Sequence, residues 1–269
     1  LGTPARITSL DEAVSTYEVD TDSEAYRQIK AFFAEAGEGA ELYIMIVANT
    51  TTMKDMMDKT KTYATTLLTY GGGRIRLIGA FKEPDGEYEP TTTKGIDQDV
   101  LDALATAHAP CLDQAGNYHP VRALLSAYAF NDTIADLDDL TAKSYNRAGI
   151  VLGTDISGGA GLVGAALGRA ARVPVQRNIG RVKDGPIVGV DSAFLGTKKV
   201  GEDLTVGDLG TVHDLGYIFM RNYTGKDGFY FNSDPMAAGA SDDYNSLARG
   251  RVIDKAITIA YSTYIEDLL

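Results

Sequence analysis

The first apolar periodicity along the chain is helical. Thr21 and Glu24 form a capping-box pair, and apolar residues then recur every three or four positions as far as Ala36. After the turn at 37–39, the nearly continuous apolar run over 42–48 is typical of a strand buried on both faces. The pattern therefore predicts a helix followed by a core strand.

The same alternation of helical stripes and short apolar runs continues to residue 152. It predicts further helices over 53–68, 96–107 and 134–146, and further strands over 75–81, 121–130 and 148–152. Strands that alternate with helices imply crossovers that cover both faces of a parallel sheet. The predicted fold class is therefore α/β, with a three-layer core and a mixed, largely parallel sheet.

The pattern changes after Pro186. Strand-like runs follow at 187–190, 215–223 and 229–231. The spacer 224–228 has the glycines that a hairpin loop needs. The last apolar stripe, over 253–268, predicts a long final helix, with Asp242 and Ser246 as candidate N-caps. We expect a C-terminal β-hairpin followed by this helix.

Composition narrows the possible environments and partners. The 269 residues are 44% hydrophobic, which suits one large α/β domain or two modest ones. No uninterrupted apolar run reaches the roughly 18 residues of a membrane span, so membrane insertion is not expected. The single Cys111 cannot form an internal disulfide. A net charge of −12 repels nucleic acid, and the basic stretches 169–181 and 249–255 fit a solvated or interface surface better than a phosphate-binding stripe.

One motif suggests nucleotide chemistry. Gly159 to Gly164 spell G-x-G-x-x-G between an apolar strand and a helical run, where glycines let a pyrophosphate approach a helix N-terminus. However, the motif lies in mid-chain, and the residue about 20 positions on, Asp184, lies in a polar turn. The competing interpretation is close helix packing, with small residues that let the helix approach its neighbours.

No catalytic, cofactor or metal site is predicted. The residues with zinc-ligand chemistry are His108, Cys111 and His119, and their spacing matches no standard zinc site. Pro110 is expected to interrupt the helix between His108 and Cys111. The acidic residues at 20–24 lack the glycine of a calcium loop and fit helix capping. The chain has no G-x-S-x-G motif, and His213 and Asp214 would alternate faces on a strand.

Several segments in order along the chain carry a family resemblance. They are the opening segment 6–13, the run 43–47, the small-residue segment 158–165 with Arg169, the stretch 174–178, and the C-terminal segments 214–219, 228–232 and 244–256. In these segments the chain resembles the sheath proteins of contractile phage tails. The C-terminal segments look like a divergent branch of unknown function found in phages and prophages.

The resemblance implies a fold and a mechanism. It implies a subtilisin-like α/β topology without protease activity, in a sheath core domain spanning 1–269 with 1–50 as a possible N-terminal subregion. Copies of the chain would stack as rings around an inner tail tube protein and contract to drive injection. Arms that add strands to neighbouring sheets would link them. Because the chain starts at Leu1 and stops directly after a helical pattern, we expect these arms to lie outside it.

The resemblance also implies where the protein works, namely in the virion tail after assembly in the bacterial host cytoplasm. Complementary charge would suit self-assembly, and the candidate interface residues are Arg249, Arg251 and Lys255 opposite Asp136, Asp138 and Asp139. A solvated helix surface explains these residues equally well. Two alternatives stay open: a nucleotide-binding α/β enzyme that uses the Gly159 to Gly164 loop, and a tail-tube or baseplate component.

Overall fold

The computed structural model describes residues 1–84 and 86–268. Its helices are α1 (Leu10–Ser15), α2 (Glu24–Ala36), α3 (Met53–Met57), α4 (Ala64–Tyr70), α5 (Gln98–Gly116), α6 (Val163–Arg172), α7 (Val206–Asp214) and α8 (Leu247–Leu268). Its strands are β1 (Ala5–Ile7), β2 (Leu42–Ile44), β3 (Leu77–Ala80), β4 (Arg122–Ser126), β5 (Ser144–Tyr145), β6 (Ala148–Val151), β7 (Phe194–Leu195), β8 (Lys198–Lys199), β9 (Met220–Tyr223), β10 (Lys226–Phe231) and β11 (Ala237–Ala238).

A parallel sheet lies at the centre of the fold. Its strand order is β3-β4-β6, with Leu77 opposite Arg122 and Ala123 opposite Ala148. Every residue of β4 and β6 is buried, as expected of strands covered on both faces. Helix α5 packs against β4 and β6, and α6 packs against β3 and β4. The predicted α/β class and the parallel pairing are confirmed by this sheet.

The predicted core strand over 42–48 is wrong in length and in partner. β2 ends at Ile44, pairs antiparallel with β1 through Ala5 opposite Ile44 and Ile7 opposite Leu42, and is half-buried. The reason is that β1 supplies a local antiparallel partner. No main-chain hydrogen bond joins β2 to β3 in the part of the chain that the structure describes.

The predicted helix over 134–146 is replaced by two single 3₁₀ turns, Ile134–Asp136 and Leu140–Ala142. The apolar residues there are three positions apart, which matches three residues per turn. Asp139 also accepts a hydrogen bond of 2.9 Å from the amide of Thr141, which competes with continued helix.

The predicted helix over 53–68 is divided into α3 and α4. Asp58 follows α3 with an extended backbone, and its carboxylate accepts hydrogen bonds of 2.8 Å from both the amide and the hydroxyl of Thr60. A local carboxylate-to-backbone bond of this kind offers the chain an alternative to the helix ladder.

The run 187–190 is a loop and not the predicted strand. The amide of Val188 donates to the Glu35 carboxylate at 2.7 Å, and Gly189 has a φ of +76°. Since a side chain takes the backbone donor and the backbone turns left-handed, no strand ladder forms.

The C-terminal hairpin is confirmed as β9 and β10, with Gly225 at a φ of +73° in the turn. Of the strand predicted over 215–223, β9 begins at Met220, and Ile218 forms a single parallel bridge to Val151 of β6. Thr205 and Asp208 form a capping box that starts α7, and this helix occupies the chain as far as Asp214.

Two predicted helix caps are replaced by other residues. Ser23 rather than Thr21 accepts a first-turn amide of α2. The final helix is confirmed, but its first turn is capped by Asp234, a residue outside the helix. Asp234 accepts hydrogen bonds from the Ser246 hydroxyl at 2.8 Å and the Ala248 amide at 3.0 Å. A carboxylate at this position satisfies donors that a helix N-terminus leaves free.

Two hydrophobic clusters fill the interior. The larger surrounds the parallel sheet, and the smaller is built from Ile7, Ala13, Val19, Ile29, Phe32 and Phe33. Leu167 of α6 packs against both clusters. The domain organisation, including 1–50 as a subregion, stays a prediction.

Candidate functional site

The backbone amides of the glycine-rich segment are already bonded within the protein. The Gly161 amide donates to the Ala127 carbonyl at 2.7 Å, and the Gly164 amide donates to Oε1 of Gln28, also at 2.7 Å. A pyrophosphate site needs such amides free to point at the ligand. The segment therefore offers no phosphate cradle.

The glycines of this segment make room for neighbouring backbone. A Cβ atom on Gly161 would overlap the Val151 carbonyl oxygen, and one on Gly164 would overlap the Gln28 carbonyl oxygen of α2. Gly168 approaches the Phe32 carbonyl in the same way. Gly164 and Gly168 thus let α6 pack closely on α2, and Gly161 lets the chain before α6 pack on β6. The nucleotide-binding alternative finds no support here.

A buried ion pair joins the same two helices. Nε of Arg169 lies 2.6 Å from the carboxylate of Glu35, and both side chains are buried. Arg169 also donates to the carbonyls of Gly185 and Pro186, at 3.0 and 2.7 Å. The sequence predicted a solvated or interface surface for this basic stretch, and for Arg169 that prediction is wrong. Arg169 is a buried structural residue that ties the 185–188 loop to α6.

A second buried ion pair anchors the final helix to the sheet. The carboxylate of Asp254 in α8 accepts from Arg122 at 2.7 Å and from Arg147 at 3.1 Å. The guanidinium of Arg122 lies where a Cβ on Gly250 would be. The first half of α8 therefore packs tightly against β4.

Asp234 holds the start of α8 and is buried. Burial raises the pKa of Asp234 to about 6, against the opposing hydrogen bonds from Ser246 and Ala248. Asp242, the other predicted cap, instead accepts from the side-chain amide of Asn146 at 3.0 Å.

The raised pKa of Asp234 predicts a pH-dependent stability. Between pH 4 and 6 the folded protein keeps a proton that the unfolded chain has lost, so stability falls as the pH rises through this window. A shift of about two pKa units corresponds to about 3 kcal/mol. Urea unfolding from pH 4 to 7 should show wild type losing stability relative to Asp234→Asn. Parallel pH curves for the two proteins would contradict the assignment.

The acidic interface candidates already take part in intrachain bonds. Asp138 pairs with Lys94 at 3.0 Å and Lys143 at 2.7 Å; partial burial opposes ionisation, but these bonds hold the pKa of Asp138 below its usual value. Asp136 accepts from the side-chain amide of Asn131 at 2.9 Å and is exposed. Asp139, as described above, caps a 3₁₀ turn.

The basic candidates lie in the first three turns of α8. Arg249 and Lys255 are exposed, whereas Arg251 is half-buried and donates to the Ala170 carbonyl at 2.6 Å. Within the described residues no ion pair joins the basic set to the acidic set. Their role at an interface stays a prediction.

The histidines and the cysteine are dispersed. α5 continues through Pro110, contrary to the expected interruption, and carries His108 and the buried Cys111. Burial raises the pKa of the Cys111 thiol to about 12 and lowers the pKa of His108. His213 lies with Asp214 in the last turn of α7 and not on a strand. Residues 1–84 and 86–268 contain no group of three His, Cys, Asp or Glu side chains that could hold a metal.

A buried lysine at the end of β3 escaped the sequence analysis. Nζ of Lys82 lies 3.9 Å from the Asp99 carboxylate and 3.6 Å from the centre of the Tyr88 ring. Asp99 also accepts the Met53 amide at the start of α3, at 2.8 Å. This edge of a parallel sheet is where ligands commonly bind. Here the side chains pair with one another and join α3 to the sheet.

The later turns of α8 expose apolar side chains. Ile259 is 55% exposed and Tyr264 is 64% exposed, although both lie within the predicted apolar stripe over 253–268. Such a surface, when contiguous, marks an interaction site. No helix among the described residues is long and apolar enough to cross a membrane.

The fold is shared with chains of contractile injection particles. One belongs to the anti-feeding prophage (AFP) baseplate: TM-score 0.57, 13% identity, 100% of this chain and 66% of that chain covered. Another is from the AFP helical sheath in the contracted state, with a TM-score of 0.52 and 13% identity. The match covers 95% of this chain and 62% of that chain. A third is from the sheath complex of the extracellular contractile injection system PVC, also in the contracted state, with a TM-score of 0.57 and 12% identity. The match covers 97% of this chain and 64% of that chain. This chain therefore spans about two thirds of their length.

These likenesses define the class of fold, that of sheath and baseplate chains from contractile injection particles. Residues 1–234 match the family described as DUF2586, N-terminal domain, and the chain belongs to this family. The predicted resemblance to a divergent sheath branch of unknown function is thereby confirmed. Comparison with curated proteins gives no match.

Proposed function

We propose that this protein is a structural subunit of a contractile tail sheath, in which copies of the chain assemble into stacked rings around an inner tube. The shared fold carries the proposal, because it extends over 95% and 97% of this chain in two contracted sheaths. The exposed apolar residues of α8 add support, since a subunit that assembles needs a surface to bury.

In this proposal the parallel sheet and its helices belong to a three-layer, subtilisin-like subunit core. The linking arms lie outside residues 1–269, and the second partner is the inner tube protein. Contraction shifts the subunits between two packings: the extended state is a kinetic trap, and greater burial in the contracted state drives the change. The protein acts in the virion tail, is assembled in the host cytoplasm, and is not an enzyme.

A baseplate subunit is the second candidate. The observation that favours it is the likeness to a chain of the AFP baseplate, whose TM-score of 0.57 equals that of the PVC sheath chain. A baseplate subunit would form a closed ring that does not stack, whereas a sheath subunit forms long tubes.

Electron microscopy of the complete polypeptide at high concentration tests the proposal. We expect tubes or stacked rings for the wild type. Single rings that never stack would favour the baseplate role. Particles that stay monomeric across salt and protein concentrations would overturn both.

Charge reversal extends this experiment to the candidate interface. The double variant Arg249→Glu, Lys255→Glu is expected to assemble poorly while remaining folded, because both residues are exposed. Arg251 is avoided because it bonds α6 within the chain. The double reversal Lys183→Glu, Lys198→Glu, at two exposed positions outside α8, is the matched control with the same change of charge and should assemble normally. Equal assembly of both variants would remove these residues from the interface.

A further inference from the structure

A groove of ≈ 670 Å³ lies between β2 and β3. Residues 41–46 line one wall and residues 74–79 line the other, and Phe32 of α2 and Leu167 of α6 also contact the space. The lining is mostly apolar. A mostly apolar space of this size inside a subunit calls for an occupant, because an apolar lining left in water forgoes the free energy of burial.

Among the described residues, no strand pairs with the edge of β3 that faces away from β4. The Arg76 carbonyl accepts the Arg122 amide of β4 at 3.1 Å. The carbonyl and the amide of one trans peptide group point in opposite directions, and the pattern repeats every two residues. The amides of Leu77 and Gly79 therefore point away from β4. β3 is the end strand of its sheet, and β2 pairs with β1. Two strand edges thus flank the groove without bonding to each other in the described chain.

The groove borders both hydrophobic clusters. Leu42, Ile44 and Ile46 on one wall pack with the smaller cluster, whereas Tyr43 and Leu77 pack with the larger one. An extended segment placed between the walls would contact both clusters, which Leu167 already bridges. This position inside a single domain core favours an occupant from the same polypeptide over a neighbouring subunit.

We propose that an extended segment of the same polypeptide, from outside residues 1–269, fills this groove and pairs with the free edge of β3. About a third of each related chain lies outside the matched part, because this chain covers 62% to 66% of them. The matching family model is that of an N-terminal domain. The proposal goes beyond the proposed function, since it holds whether or not the subunit forms a sheath.

The lining also specifies the chemistry of the segment. Its middle is apolar, to match Leu42, Ile44 and Leu77. Arg74 and Arg76 stand exposed on the groove wall at the start of β3. An acidic residue at that end of the segment would pair with them.

Hydrogen exchange on the complete polypeptide, resolved to single amides, tests the proposal in dilute unassembled protein. The Leu77 and Gly79 amides are expected to exchange at least about a hundredfold more slowly than in an unstructured chain, because pairing closes them to solvent. The Val206 amide is the control: Val206 is 77% exposed at the first position of α7 and should exchange fast throughout.

The outcomes separate this proposal from the sheath function. Protection that is unchanged by dilution supports a segment of the same polypeptide, even if no tubes form. Protection that appears only on assembly would assign the groove to a second copy and overturn the proposal. Fast exchange of Leu77 and Gly79 in both states would also overturn it, even for a protein that forms tubes.

Discussion

Gly164→Ala should lower the free energy of unfolding by about 3 kcal/mol or more, since overpacking of a rigid contact forces backbone to move. The added Cβ would overlap the Gln28 carbonyl of α2, which is main chain and cannot rotate away. The loss should outweigh the helix propensity of roughly 1 kcal/mol that alanine gains over glycine. Urea unfolding followed by far-UV circular dichroism measures the change.

Gly210→Ala is the matched control, because Gly210 also lies within a helix but a Cβ there would meet no atom within 4 Å. This variant should be neutral or stabilised by up to about 1 kcal/mol. If Gly164→Ala were as stable as Gly210→Ala, α6 and α2 would not be in backbone contact. The phosphate-binding interpretation of the glycines would then need a new examination.

Arg169→Met should cost about 3–5 kcal/mol, the usual effect of removing one partner of a buried ion pair. Glu35 would lose its closest cationic partner and keep only the half-exposed Arg172 at 3.3 Å, and the carbonyls of Gly185 and Pro186 would lose their donor. We expect the 185–188 loop to become sensitive to proteolysis at the same time, since Arg169 holds it. Denaturant unfolding and limited proteolysis check the two effects.

Arg172→Met provides the comparison on the same helix. Arg172 also reaches Glu35, at 3.3 Å, but its side chain is 36% exposed. Its loss should cost less than about 1 kcal/mol, as for other solvent-screened pairs. Equal losses in the two variants would mean that burial does not distinguish the two arginines.

Periodicity alone predicted the helices and strands that have an unambiguous apolar pattern. α2, β4, β6, the C-terminal hairpin and α8 all lie where the pattern places them. Each is either continuous in apolar residues or carries a clear helical stripe, and both patterns follow from backbone geometry. The resemblance to sheath proteins likewise rested on segments of sequence.

The failures occurred where a neighbour overrides the local pattern. The run 42–48 has the composition of a core strand, but β1 takes it as an antiparallel partner. The stripe over 134–146 fits a helix, but the side chain of Asp139 bonds the backbone instead. Hydrophobic periodicity takes no account of either competing contact, the pairing with β1 or the Asp139 hydrogen bond to the backbone.

By itself, the sequence determined the α/β class, the order of the main elements and the family, because these depend on patterns along the chain. Only the tertiary structure decided between phosphate binding and helix packing for Gly159 to Gly164, since both uses require the same missing Cβ. It also placed Arg169, predicted as part of a solvated or interface stretch, in the interior, and it paired the buried Arg122 of β4 with Asp254. Their partners, Glu35 and Asp254, lie more than 130 positions away in the chain, and only folding brings such charges together.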